Sequence, residues 1–168
     1  DLRYVIFRYF NVAGADHEGD IGEFHQPETH LVPLIFDAVS SNSGAITIFG
    51  ADYDTHDGTC IRDYVHVSDL IDAHLLGLEW LINNGENRVY NLGTGTGFSV
   101  REVINKAQEV TDRNVPQIVG KRRPGDCTKL VSGSKLVKSE LGWEPKRSNL
   151  ERIITDAWRW HQTSGYEK

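Results

Sequence analysis

The eight residues Arg3 to Phe10, RYVIFRYF, constrain the fold more than any other stretch. Aromatic and β-branched residues run there without interruption until Asn11 and Gly14. That pattern reads as a strand buried on both faces, which belongs to a parallel sheet covered by helices. A chain with such a strand needs crossover helices, and the remaining sequence supplies them. After a loop rich in Gly, Asp and His to about Thr29, the residues Leu31, Leu34, Ile35, Ala38 and Val39 recur at helical spacing. Pro33 is tolerated in the first turn, so a helix is expected to about Ser41. Ile46 to Phe49 reads as a short strand and Cys60 to Val67 as another. Ser68 is the expected N-cap of a helix carrying Leu70, Ile71, His74, Leu75 and Leu78. Arg88 to Leu92 is a strand feeding Gly93-Thr94-Gly95-Thr96-Gly97, and Ser99 with Glu102 has capping-box spacing for a helix to about Thr111. Ile118 and Val119 suggest one more short strand. Helices over Ser134 to Leu141, stopped at Gly142, and Leu150 to His161 close the chain, with Trp143, Trp158 and Trp160 as core residues. Strands and helices alternate, so the class is α/β. With 168 residues and 39% hydrophobic content, one compact unit is expected.

Charge and cysteine usage exclude several function classes. The formal charge of −6 leaves no basic field for nucleic acid or an anionic membrane, although a few arginines can still hold a small anion. Cys60 and Cys127 lie far apart without the paired spacing of a structural zinc site, and they read as buried small hydrophobes. No run approaches the roughly 20 apolar residues of a membrane span. Asp1 opens directly into a strand-like segment with no leader, which implies a cytoplasmic protein, and the absence of Met suggests a fragment. His66 and His74 have no third metal ligand at a plausible spacing, so His66 reads as a hydrogen-bonded structural histidine and no metal is expected.

Three segments carry chemistry. Arg8-Tyr9-Phe10-Asn11 delivers a carboxamide at the carboxyl edge of a strand, where ligands collect in open α/β sheets, although Asn11 alone also reads as a turn residue. In the stretch from Ile48 to Asp69, Arg62 sits inside an apolar strand and needs an anion. Asp63 points to the opposite face and is a poor partner, whereas a diphosphate accepts forked hydrogen bonds. In Arg122-Arg123-Pro124-Gly125-Asp126, a turn brings cation and carboxylate together, either as a phosphate and ribose clamp or as a solvated basic loop. The glycine cluster at 93–97 is G-x-G-x-G rather than G-x-G-x-x-G and has no acidic residue about 20 positions on. It is read as a tight strand-to-helix turn.

Taken in order, RYFNVAGAD at 8–16, HLVPLI at 30–35, IFGADYDTHDGTCIRDYVHVSDLIDAH at 48–74, YNLGTGTGFSV at 90–100 and RRPGD at 122–126 resemble the UDP-glucose 4-epimerases of the extended short-chain dehydrogenase superfamily. The resemblance covers nearly the whole chain. The third stretch is the most specific, because sister 4,6-dehydratases and UDP-glucuronate decarboxylases usually lack the Asp52 to Thr59 insertion. The resemblance implies a substrate-binding domain of an extended short-chain dehydrogenase, plus strands at about 4–10 and 88–92 that complete the Rossmann-type sheet of an NAD domain. Within it, Asn11 would contact the UDP-sugar and Phe10 the nicotinamide. His30 and Leu31 would meet the nucleotide, although many relatives have Asn at the first of these. Thr47, Ile48 and Phe49 would flank the uracil, Arg62 and Arg123 the diphosphate, Asp126 the ribose, and Leu130 the hexose 2-substituent.

No counterpart of the family's amino-terminal GxxGxxG turn, catalytic Ser or Thr, or Tyr-x-x-x-Lys pair is present. Tyr4 and Arg8 share the spacing of that pair, but Arg stands where Lys is required. The expectation is therefore the UDP-sugar-binding, carboxy-terminal part of an enzyme that interconverts UDP-glucose and UDP-galactose with NAD. Its partners would be an amino-terminal half and, in the complete enzyme, a second copy, and the chain alone would be inactive. Two rival readings stay open. One is a fragment of a nucleotide-sugar 4,6-dehydratase or decarboxylase, and the other is a non-catalytic UDP-sugar-binding module.

Overall fold

The computed structural model describes residues 2–41 and 44–163, and the reading made at Asp1 lies outside them. In chain order the elements are β1 (Val5–Arg8), β2 (Asn11–Ala13), α1 (Leu31–Ser41), β3 (Ile46–Phe49), β4 (Ile61–His66), α2 (Val67–Ile82), β5 (Arg88–Asn91), β6 (Gly97–Ser99), α3 (Val100–Thr111), β7 (Gln117–Gly120), β8 (Lys129–Leu130), α4 (Lys135–Leu141) and α5 (Leu150–His161). The class is α/β, as expected, with mainly parallel pairing. β1 pairs with β5, β2 with β4, β3 with β7 and β8 with β4, all parallel, and β6 alone runs antiparallel to β4. β4 thus sits at the centre of a four-stranded sheet.

The single strand expected over Arg3 to Phe10 is in fact two. β1 ends at Arg8, and after Tyr9 and Phe10 the chain moves to a different sheet as β2, which begins at Asn11. Nor is β1 buried on both faces. Val5 and Phe7 pack inward against the cluster that contains Tyr90, Leu92 and Trp143, while Ile6 is 47% exposed on the other side. The short strands β6 and β8 had no sequence signal of their own, because three and two residues are too few for a period to show.

Helix starts follow local chemistry. α2 begins two residues earlier than expected because the cap is His66, whose Nδ1 accepts from the Ser68 amide at 3.1 Å, leaving Ser68 inside the first turn. At α3 the expected capping box is present: Ser99 Oγ accepts from Glu102 N at 3.1 Å, and the Glu102 carboxylate accepts from Ser99 N at 2.7 Å. α4 ends where expected, at Gly142 with φ 69°, a conformation that glycine adopts without a Cβ penalty.

Two apolar clusters hold the layers. One joins α1, α3, α5 and β3 through Phe36, Ile48, Ile104 and Ile153, and the other joins β5, α2 and α4 through Tyr90, Leu92, Leu70 and Trp143. Each such side chain, fully buried, contributes about 1.5–3 kcal/mol. Trp143 is core as expected, whereas Trp158 and Trp160 are half-buried, and Trp160 Nε1 donates to the Glu23 carbonyl at 2.8 Å, tying the long loop to α5. Both cysteines are free. Cys60 is buried, but Cys127 is exposed and does not behave as the expected buried hydrophobe.

His66 is fully buried between elements. A Cβ added at Gly14, whose φ is 96°, would fall 2.7 Å from its ring, so a larger residue is excluded there twice over. Its Nε2 lies 3.3 Å from Asp156 Oδ2 without the alignment of a hydrogen bond. Burial pulls its pKa below the ordinary 6.5, against the opposing pull of Asp156. Since Nδ1 accepts, the proton sits on Nε2 and the ring is neutral.

Candidate functional site

β4 presents neighbouring residues to opposite faces, and the two charges at its centre do different work. Asp63 is buried and accepts four hydrogen bonds, from Thr94 N at 3.0 Å, Thr94 Oγ1 at 2.7 Å, Gly95 N at 3.1 Å and Ser132 N at 3.1 Å. Its carboxylate is thereby spent on the glycine turn and the segment after β8. Arg62 faces away from it. With only 13% of its side chain exposed, Arg62 donates through Nη1 to the carbonyls of Ile61 at 2.9 Å and Cys127 at 2.8 Å, and Nη2 stands 3.6 Å from Asp126 Oδ1.

Asp126 joins the second arginine to the first. Arg123 Nε donates to Asp126 Oδ2 at 2.9 Å and its Nη2 approaches Oδ1 at 3.4 Å, while the guanidinium carbon lies 4.7 Å from the centroid of the Phe49 ring. Phe49 is 40% exposed, and Leu130 pairs with Arg62 in register across β8 and β4. Two guanidiniums sharing one carboxylate leave a local excess of positive charge beside an aromatic ring at a sheet edge. Such a group takes an anion that accepts forked hydrogen bonds and carries a flat ring.

The structure thus brings together Phe49, Arg62, Arg123, Asp126 and Leu130. Asn11 opens β2 opposite Tyr64, two residues along β4 from Arg62, and Phe10 is exposed just before it. Thr47 and Ile48 lie on β3, but Ile48 is 1% exposed, so only its main chain can face a ligand. His30 and Leu31 belong to another grouping at the start of α1, where His30 Nδ1 is 2.6 Å from Glu23 and 3.1 Å from Glu28.

The contact between Arg122 and the 52–59 insertion lay outside the sequence reading. Arg122 turns away from the arginine group: its Nε donates to Asp52 Oδ1 at 2.7 Å, it bonds the Asp52 carbonyl, and it lies 4.1 Å from the Tyr53 ring centroid. It fastens the RRPGD turn to the 52–59 insertion. That insertion is itself braced by Asp57, which accepts from Thr59 N at 2.8 Å and from Ser99 Oγ. The facing charges of Asp52 and Arg122 were visible in the sequence, but nothing local pairs residues 70 positions apart.

Relatives are similar along almost the whole chain. A UDP-glucose 4-epimerase from Lactobacillus helveticus is 48% identical over 168 residues, which cover 99% of this chain and 51% of that protein. A crystal structure of a UDP-glucose 4-epimerase superposes with a TM-score of 0.94 at 54% identity, covering 99% of this chain and 51% of the other. The UDP-glucose-4-epimerase from Stenotrophomonas maltophila, solved with bound NAD and formylated UDP-arabinopyranose, superposes with a TM-score of 0.91 at 38% identity, covering 96% of this chain and 48% of that one. The chain spans about half the length of these relatives. The profile of the NAD dependent epimerase/dehydratase family matches residues 1–93, more than half of the sequence, and the chain belongs to that family.

Proposed function

We propose that this chain is the UDP-sugar-binding half of a cytoplasmic UDP-glucose 4-epimerase, which interconverts UDP-glucose and UDP-galactose by oxidation and reduction at C4. The observation that carries the reading is the convergence of Arg62 and Arg123 on Asp126 beside Phe49. In this assignment the diphosphate replaces Asp126 as the partner of the two guanidiniums, Asp126 turns to the ribose hydroxyls, and Phe49 with the main chain of Thr47 and Ile48 flanks the uracil. Asn11, His30 and Leu31 complete the grip on the nucleotide sugar, and Leu130 faces the hexose. The relatives' names and the Stenotrophomonas maltophila complex with a UDP-sugar support this assignment.

NAD serves the family as the hydride acceptor and donor, and the described residues of this chain offer no cradle for it. At the only glycine cluster, the amides of Thr94 and Gly95 already point at Asp63, and a Cβ at Gly93 would lie 2.6 Å from that carboxylate. A pyrophosphate there would face a buried negative charge. Of the proposed contacts only Phe10 addresses NAD, so the dinucleotide would be held by the other half. No tyrosine in the 168 residues is followed four positions later by lysine, and no hydride or proton step is assigned to this chain. That same feature favours a second reading, a module that binds UDP-sugars without turnover.

The strands β1 and β5 would then extend the sheet of the NAD domain. Their support is the two-stranded pairing with Ile6 and Val89 left exposed. A second copy of the complete enzyme is a further proposed partner. Calorimetry with UDP on the complete enzyme tests the clamp: Arg62→Ala and Arg123→Ala should each cost about 1.5–3 kcal/mol, the worth of a charge-assisted bond. Unchanged affinity in both would remove the assignment. Conversion of UDP-galactose by the complete enzyme, with none by this chain plus NAD, separates the epimerase from the module.

A further inference from the structure

Away from the arginine group, the loop leading into α1 gathers two imidazoles and two carboxylates. His25, Glu28 and His30 each offer one ligand atom, and the three atoms lie within 4.8 Å of one another. Glu28 Oε1 is 3.1 Å from His30 Nδ1 and 3.9 Å from His25 Nδ1. Donors held at about 2.0–2.1 Å by a tetrahedral zinc ion are themselves about 3.3 Å apart, so these separations bracket what such an ion requires. Glu23 Oε1, 2.6 Å from His30 Nδ1, adds a fourth donor.

Glu28 gives the independent indication. Its side chain is 5% exposed, and Oε1 is fixed by the main-chain amides of Thr29 and His30, both at 2.7 Å. Oε2 is buried and has no hydrogen-bond partner. The carboxylate is thus anchored through one oxygen, while the other is buried without a donor or a cation beside it. The two imidazoles beside it select the class of cation, because nitrogen donors favour zinc and its transition-metal neighbours over magnesium or calcium. The loop is not free to drift, since Trp160 holds the Glu23 carbonyl from α5.

We propose that His25, Glu28 and His30, with Glu23 as a fourth donor, form a binding site for a divalent transition cation of the zinc class. Because His30 immediately precedes α1, an ion there would fix the entry of the chain into that helix. The site stands independently of the nucleotide assignment, with which it shares only His30.

Titrating chelator-treated protein with Zn2+ alone in a calorimeter, and with Co2+ by visible absorption, tests the proposal. One equivalent should bind, and Co2+ should show the intense absorption of a four-coordinate nitrogen and oxygen site. His25→Ala and Glu28→Gln should each weaken Zn2+ binding by about tenfold or more, the glutamine keeping the shape and the main-chain bonds of Glu28. His17→Ala and His56→Ala, at exposed histidines that also neighbour carboxylates, should leave affinity unchanged. Equal Zn2+ affinity in wild type, His25→Ala and Glu28→Gln, with circular dichroism showing all three folded, would overturn the site. So would loss of the bound equivalent on His17→Ala or His56→Ala. UDP affinity of His25→Ala reports on the nucleotide reading separately.

Discussion

The sheet around β4 and the pair β1–β5 are made of similar residues but are finished differently. β4 has neighbours on both sides, its last four residues are buried, and its central charges Arg62 and Asp63 both have partners. In β1 and β5 alternate residues lie exposed, among them Ile6 and Val89, and among the described residues neither strand has a second neighbour. α2, which packs beside β1, shows the same lack of cover: Ile71, Leu75, Leu78 and Ile82 recur at spacings of four, three and four along an exposed stripe. One region satisfies its own polar groups and closes its own core. The other presents apolar faces and strand edges of the kind that proteins normally cover.

Asp63 offers the sharpest way to break that contrast. Asp63→Ala would leave the buried amide of Ser132 and the half-buried amide of Thr94 without an acceptor, together with that of Gly95 nearer the surface. The buried Ser132 donor costs about 1–3 kcal/mol when unsatisfied and the Thr94 amide adds to that, so the variant should lose about 2 kcal/mol or more, read by urea unfolding. A loss under about 1 kcal/mol would mean that the centre of the β4 sheet is no more self-sufficient than the β1–β5 pair.

Leu130 tests the same sheet at its ligand edge. It pairs with Arg62 on the short strand β8, and the proposed hexose contact there is a small side chain. In the complete enzyme, Leu130→Tyr should lower the ratio of UDP-N-acetylglucosamine to UDP-glucose turnover by about tenfold, the usual discrimination of a steric pocket. An unchanged ratio in a coupled assay would place the selective pocket elsewhere.

How much of this was legible depended on the range of the interactions. The helices α1, α3, α4 and α5 could be read because their signals are local: apolar spacing, the Ser99–Glu102 box, and Gly142 as a stop. Arg62 stood out because an arginine within an apolar strand demands a partner, and its separation from Asp63 followed from strand alternation. The break at Tyr9–Phe10 could not be read, since a change of sheet leaves the residue pattern of a strand intact. Neither could the His66 cap, because imidazole is a rare acceptor at that position, nor the Arg122–Asp52 contact, which closes over 70 residues. The His25–Glu28–His30 grouping had a readable spacing, but it lies in a loop whose course only the Trp160 tie and the Glu28 main-chain bonds define.

A pH titration probes the junction between α2 and α5. His66 is held neutral by burial, with its pKa below 6.5, whereas in the unfolded chain it protonates at its ordinary value. The unfolded state therefore binds the extra proton first as pH falls. The contribution of His66 to stability is complete above about pH 6.5 and declines as pH drops through that value. Urea unfolding at pH 7.5 and 5.5 should show a decline in wild type that is smaller in His66→Gln. An equal decline in both proteins would show that the ring is not held neutral.

The smallest expected effect on stability bears most directly on the comparison. Ile6 and Val89 are partners in the β1–β5 register, and both side chains face outward where no described residue covers them. Replacing either by lysine removes no buried contact and leaves the backbone pairing in place. Ile6→Lys or Val89→Lys should therefore change the stability of the 168-residue chain by no more than about 0.5 kcal/mol, as for ordinary surface sites. The effect should appear only on assembly. If β1 and β5 extend the sheet of an NAD domain, a lysine on that face must be desolvated when the other half docks, and an unpaired buried charge is strongly disfavoured. Co-expression with the amino-terminal half of an epimerase should then recover UDP-galactose conversion with the wild-type chain and not with either lysine variant, while Ile118→Lys, at an exposed position on the separate strand β7, should recover it normally. Recovery with Ile6→Lys equal to wild type would mean that this face stays in water in the complete enzyme, and that the unfinished look of β1–β5 reflects an edge rather than an interface.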